Sequence, residues 1–294
     1  NYYWIKWTTE EFCDFLYNDV ILVKDTKRIL QERGMKIIDD LYKDMLVDYE
    51  SKLYAGYESS YNDFFNEWDI IHPGLEQFED KITANGKHLV AAIIGKYYVG
   101  KSCAAKRVLV DLRKKGYLAF EFYMRSSEHM QLFLEYLEQL PENTNVAVLF
   151  EEASFYYNLL YSNLVKKCPV NIKQLIIITS DTISNHSAKR DILKSSNCME
   201  TFMLDEKISR TFAEMIYQKL KEKRWLSKPA ISGSKKEDVK NYACKVNDII
   251  EFLYMISHGH GFETHYIDMF MLLEKNINFS QVLQDALKTQ LHIN

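Results

Sequence analysis

Gly95 followed at fixed distance by Gly100-Lys101-Ser102, inside IIGKYYVGKS (93–102), is the part of the sequence best suited to chemistry. The spacing GxxxxGK[ST] belongs to loops that cradle phosphate. Gly95 lets the chain leave a strand sharply, and Gly100 lets backbone approach the anion closely. N–H groups of the loop and of the helix start, through Cys103, point at the phosphates. Lys101 is placed as a mobile charge between β- and γ-phosphates, and Ser102 as an oxygen ligand for Mg²⁺. The Cys103 side chain reads as packing. The middle of the loop is bulky, with Lys96, Tyr97, Tyr98 and Val99 where small residues are usual. Those side chains project outward, stiffening the loop and covering a bound nucleotide.

Such a loop needs an acidic partner. The apolar run 146–150 ends in Glu151-Glu152. A carboxylate at a strand tip holds a Mg²⁺-bound water, and a neighbouring one polarises the attacking water. Glu151 is therefore assigned to the metal with Ser102, and Glu152 to the water, with Lys101 completing the catalytic set. Acidic residues also serve the positive end of a following helix, so the pair draws its meaning from the loop upstream. The next apolar run ends Ile178-Thr179-Ser180-Asp181. Thr179 or Ser180 at that tip would bond the γ-phosphate or the water, and helix N-capping is the alternative for both. Arg190 is the nearest downstream arginine within reach of phosphates.

The elements that must position these residues follow from periodicity. Continuous apolar segments at 88–94, 117–123, 145–150, 175–180 and 199–204 alternate with helical patterns near 101–115, 128–140, 154–167 and 187–195. Strands apolar on both faces, separated by helices, predict an α/β domain around a parallel five-stranded sheet. Residues 1–68 read as mainly helical. Thr8 and Glu11 form a capping-box pattern, and an apolar stripe from Met35 to Leu53 predicts a helix over 35–54. Residues 206–294 also read as helical, with Phe212, Ile216, Leu220 and Trp225 on one helix and Ile249, Leu253 and Ile256 on another. The expected division is thus 1–68, 69–205 and 206–294.

Composition narrows the function classes. With 37 basic and 41 acidic residues the net charge is -4, which gives no electrostatic footprint for nucleic acid or an anionic membrane. The five cysteines are odd in number and scattered with no CxxC pair, so neither a disulfide framework nor a zinc cluster is indicated and a reducing, cytoplasmic setting fits best. The longest purely apolar run, 89–94, is far short of a membrane span. His258, His260 and His265 lie in a Gly-rich stretch without a clear further ligand, so a turn is favoured over a metal site. Tyr2, Tyr3, Trp4 and Trp7 lack surrounding basic residues and read as packing, not as a stacking surface for single strands. The start at Asn1 with this aromatic run raises the expectation of a piece of a longer protein.

Taken together, residues of about 65–265 resemble the STAND class of P-loop NTPases, especially divergent bacterial members. IIHPGLEQFEDKI (70–82) is similar to the segment that helps hold adenine, with Gly74-Leu75 where the family has Gly-Arg. GKYYVGKS (95–102) resembles Walker A, and VAVLFEEA (146–153) resembles Walker B, with Glu151 where Asp is commoner. LIIITSD (175–181) is similar to a strand that ends in an arginine, where this chain has Asp181. METFMLDEKISRTFAEMIYQKL (199–220) and NDIIEFLYMISHGHGF (247–262) resemble the opening of the helical lid and the small domain after it. The resemblance implies ATP or ADP with Mg²⁺, slow turnover, and a nucleotide-dependent switch for signalling or assembly, including bacterial antiviral defence. It also implies self-association through the NTPase domain, with effector and sensor domains outside this sequence. A non-hydrolysing P-loop scaffold is one alternative. An AAA+-type ATPase that remodels nucleic acid or protein is the other; it would need an arginine finger and a basic channel.

Overall fold

The computed structural model describes residues 34–38, 51, 53, 58–84, 86, 88–97, 99–123, 127–191, 197–205, 208–223 and 252–253. Six strands make one sheet: β1 (Met35–Ile38), β2 (Leu89–Gly95), β3 (Leu118–Phe122), β4 (Thr144–Glu151), β5 (Ile172–Thr182) and β6 (Met199–Met203). Their order is β1-β3-β4-β5-β2-β6. The five strands expected from the apolar runs are mutually parallel, and β1 joins β3 antiparallel at the edge. The sheet is therefore mixed and six-stranded, not the five-stranded parallel sheet expected.

The extra strand corrects the helix expected over 35–54. Met35 packs with Phe120 and Phe122 on one face of the sheet, whereas Ile38 joins the core of the other face. Residues three apart lie together on a helix but on opposite faces of a strand. Burying both therefore requires the extended form. The Tyr123 amide also donates to the Gly34 carbonyl at 2.8 Å, extending the ladder at its end. Residues 39–50 of the expected helix, the Thr8–Glu11 cap, Trp225 and the histidines at 258, 260 and 265 lie outside the described residues.

Helices cover both faces, as continuous apolar strands demand. On one face, α1 (Tyr61–Phe65), α2 (Leu75–Ala84) and α3 (Lys101–Lys114) pack over Ala91, Ile93, Leu149 and Ile178. On the other, α4 (Ser127–Glu138) lies over Val90, Val148, Phe150 and Ile177. Each fully buried aliphatic side chain contributes about 1.5–3 kcal/mol.

The segment expected as a helix over 154–167 is instead a 3₁₀ turn (Ala153–Tyr156), a short α turn (Tyr157–Leu159) and a π turn (Leu160–Val165). Tyr157, Leu160, Leu164 and Val165 are all buried, a set that the changing turn width accommodates on one side. The helix expected at 187–195 starts earlier, as α5 (Ile183–Lys189). There Thr182 accepts a bond from the Asn185 amide at 3.3 Å and sets the N-cap. Beyond β6, α6 (Arg210–Glu222) begins at Ser209, which caps the Phe212 amide at 3.1 Å, and buries Phe212, Ile216 and Leu220.

Candidate functional site

The strand-loop-helix unit is β2, residues 96–100 and α3. Both glycines are required there, for different reasons. A Cβ on Gly95 would lie 2.7 Å from Val99 Cγ2 and 3.3 Å from Leu204 Cβ, so the loop is folded tightly back on the strand end. Gly100 has φ +88°, a left-handed conformation costly for other residues. A Cβ there would also meet His72 Nε2 at 3.1 Å. From Gly100 the helix starts cleanly, with the Ala104 amide bonded to the Gly100 carbonyl at 2.9 Å.

Lys101 is turned onto its own loop. Its Nζ donates to the Lys96 carbonyl at 2.5 Å and lies 5.7 Å from the ring centre of the exposed Tyr97. Burial lowers the Lys101 pKa, opposed by the carboxylates of Asp181 and Glu152. Lys101 thus sits within electrostatic reach of the tips of β4 and β5. Tyr98 lies outside the described residues.

The acidic tip is brought to the start of α3. Alternation along β4 puts Ala147 and Leu149 on the α3 face, and Glu151 continues that parity. The Lys106 charge and the nearby Ser102 hydroxyl favour the charged form of Glu151 and lower its pKa. Burial outweighs both, and the Glu151 pKa is raised. Glu151 Oε1 is buried without a hydrogen-bond partner. A buried carboxylate oxygen beside a serine hydroxyl is a hard-oxygen pair suited to Mg²⁺, which takes one or two carboxylates and completes its shell with phosphates and water. No cluster of three or more His, Cys, Asp or Glu suited to a metal occurs among the described residues. Phosphate oxygens and water would have to supply the remaining ligands.

Glu152 is exposed, with φ 50° and ψ 40°. Its amide donates to the Ser180 carbonyl at 2.7 Å, which pins the turn between the β4 and β5 tips. Ser180 pairs in register with Glu151. Thr179 has the opposite parity, is fully buried, and pairs with Phe150 in the core of the other face. Asp181 accepts from the Ser154 amide at 3.2 Å, the Ser154 hydroxyl, the Thr182 amide at 2.6 Å and Asn185 Nδ2 at 3.0 Å. Arg190, exposed, ends α5. Burial pushes the Cys103 thiol up to about 11.

Three further residues belong to the site's surroundings. Lys106 is buried within α3 and donates to the Ser59 carbonyl at 3.0 Å and to Glu58 at 3.2 Å. Glu121, near the end of β3, is buried, receives the Tyr123 hydroxyl at 2.9 Å and raises the Glu151 pKa. The only signal for Lys106 was two adjacent cations, Lys106-Arg107, within an otherwise apolar helix face. His72, third, has its pKa lowered by burial to about 4, and its ring centre lies 4.4 Å from that of Phe212. Together with Val99, Phe202, Leu204 and Ile208, these two rings line a cavity of ≈ 90 Å³ beside the loop.

No family model matches the chain, and no curated protein does. Solved structures give weak likenesses. Hsp104 of S. cerevisiae, in a complex with casein, shares 12% identity at a TM-score of 0.41, covering 55% of this chain and 32% of that one. AMPPCP-bound DnaA from Aquifex aeolicus shares 13% identity at 0.40, covering 69% of each chain. The ADP form of ORC2 from Aeropyrum pernix shares 12% identity at 0.42, covering 76% of this chain and 72% of that one. The chain thus spans about a third of the Hsp104 chain. At these TM-scores the likenesses carry no weight for function, which rests on the geometry of the site.

Proposed function

We propose that the chain is an ATP- or ADP-binding P-loop module acting as a nucleotide-dependent switch of the STAND type. The observation that supports this best is the buried, unpartnered Glu151 Oε1 at the β4 tip near the Ser102 hydroxyl, because two distant sequence positions each suited to Mg²⁺ come together beside a phosphate-shaped loop. Ser102 and Glu151 would hold the ion, which when bound bridges and neutralises phosphate oxygens. Loop amides and Lys101 would bind the phosphates, and Glu152 at the solvent-facing turn would orient water. Thr179, facing the core, is better suited to packing, while Ser180 lies in register with Glu151. Asp181 is committed to four donors and offers no positive charge to a γ-phosphate, which favours holding nucleotide over fast hydrolysis. Self-association in the nucleotide-bound form, with effector and sensor domains elsewhere, follows from the same reading.

A non-hydrolysing scaffold is the second reading. It is favoured by the Lys101 ammonium, which is engaged by the Lys96 carbonyl and must be released before it meets phosphate. The deciding measurement is the affinity of the full chain and of Lys101→Ala for ATP and ADP. Binding by the full chain at micromolar nucleotide, weakened tenfold or more by the substitution (about 1.4 kcal/mol), supports a working loop. Absence of binding at millimolar concentration removes the proposal. Turnover abolished by Glu152→Gln separates the switch that hydrolyses from the scaffold that does not.

A further inference from the structure

We propose that Ser154 is a positioning residue, which sets the direction of Glu152 by clamping the turn after β4 onto Asp181. This rests on the nucleotide-site reading above, in which Glu152 orients the attacking water. Glu152 has φ 50° and ψ 40°, a left-handed conformation that is costly for a residue with a Cβ. Such a backbone persists only where its surroundings over-determine it. Two anchors on β5 do so here. The Glu152 amide donates to the Ser180 carbonyl at 2.7 Å. Two residues on, the Ser154 amide and the Ser154 hydroxyl both donate to Asp181 Oδ2, the amide at 3.2 Å. The left-handed residue is thus bracketed by bonds to the neighbouring strand.

The anchor is itself fixed. Asp181 Oδ1 receives the Thr182 amide at 2.6 Å and Asn185 Nδ2 at 3.0 Å, so the carboxylate is held from the β5 tip and from α5 as well. Ser154 is 1% exposed and Asp181 3%, so water does not compete for their bonds. The Glu152 side chain, by contrast, is exposed, and the backbone of the turn sets the direction in which it leaves the surface. Register puts that turn close to the phosphate-type loop. Ser180 pairs with Glu151 and Thr182 with Gly95, so β5 alone separates the turn from the start of the loop.

The two Ser154 donors are separable. An alanine keeps the amide bond to Asp181 and loses only the hydroxyl, so the turn slackens around Glu152 while the β4–β5 ladder stays. Lys101, which would bind phosphate, is held instead by the Lys96 carbonyl on its own loop. Loss of the Ser154 hydroxyl therefore spares the phosphate-binding groups and misdirects one carboxylate. A small misplacement of a group that orients water slows the reaction without weakening binding.

Three measurements on the full chain test this, for the wild type and Ser154→Ala: steady-state turnover of ATP with Mg²⁺, ATP affinity by calorimetry, and hydrogen–deuterium exchange without nucleotide. In the variant kcat is expected to fall about tenfold, with KM and Kd for ATP within about twofold of the wild type. Exchange at the Glu152 and Ser154 amides should quicken about tenfold, with residues 145–150 unchanged. If Ser154→Ala does not fold, Ser154→Cys, close in size but only a weak donor, decides in its place. An unchanged kcat overturns the proposal, as does a loss of affinity that matches the loss of kcat. Unchanged exchange at 152–154 also overturns it, and so does quickened exchange throughout 145–150, which would make Ser154 a general support of the strand. A wild type that binds ATP without turning it over leaves Glu152 no water to orient, and overturns the positioning role while the binding reading stands. No binding of ATP by the wild type removes the nucleotide reading, and this role with it.

Discussion

The Ser102 hydroxyl, in the first turn of α3, lies close enough to the Glu151 carboxylate at the tip of β4 to favour its charged form. The pair brings together a residue contributed by the phosphate-type loop and one contributed by a strand that is not its neighbour, since β5 lies between β4 and β2. If this pair holds the ion, its loss must show only when magnesium is present. Ser102→Ala is expected to raise the Kd for ATP with Mg²⁺ about tenfold, roughly 1.4 kcal/mol, and to leave the Kd in EDTA within about twofold. Titration calorimetry under both conditions reads the difference. An equal loss in EDTA would assign Ser102 to the phosphates and not to the metal.

Much of this was legible before any coordinates. The loop spacing, a strand before it and a helix after it are local features, and the central strands, buried on both faces, announce themselves as continuous apolar runs. β1 was not legible, because MKII is only four residues long and opens a stretch whose apolar positions also fit a helix. The role of Asp181 was equally hidden. Beside a family pattern it reads as a missing arginine, yet its carboxylate ties the turn after β4 to the start of α5. Lys106 escaped for the same reason: its burial depends on which face of α3 meets residues 58 and 59.

Gly100 provides a test of the loop's backbone. At φ +88° an alanine costs about 1–2 kcal/mol, and its methyl must also displace the His72 ring. Gly100→Ala is expected to lower the unfolding free energy by about 2 kcal/mol in urea. It should weaken nucleotide binding far more than that loss of stability alone explains. A stable variant with unchanged nucleotide affinity would show that the loop does not need this conformation.

Asp181 should prove structural. Four donors converge on a carboxylate that is almost fully buried, and removing it leaves the Ser154 amide and hydroxyl and the Asn185 amide without an acceptor. Asp181→Ala is expected to cost about 3 kcal/mol of stability. Asp181→Arg, which supplies the side chain typical of the resembling family, should be worse, since it buries a cation among donors. Urea unfolding measures both. An arginine variant as stable as the wild type, and faster in ATP turnover, would refute the structural assignment.

His72 sets a pH dependence whose sign is fixed. Its folded pKa is about 4, against 6.5 for the free side chain, because burial beside Phe212 disfavours the charged ring. Between those values the unfolded chain binds more protons than the folded one, so stability rises with pH through this window and falls on acidification. The full contribution, present above pH 6.5, is on the order of 2–3 kcal/mol and is gone once pH falls through about 4. Glu79 acts in the opposite direction, since burial raises its carboxyl to about 7 and its contribution is lost as pH rises from 4.5 through 7. The two slopes partly cancel in the wild type, so the difference between wild type and His72→Gln isolates the histidine. Urea unfolding at pH 7 and pH 4.5 should show the variant losing at least about 1 kcal/mol less than the wild type on acidification. Parallel losses would mean that His72 takes up its proton in the folded chain as readily as in the unfolded one.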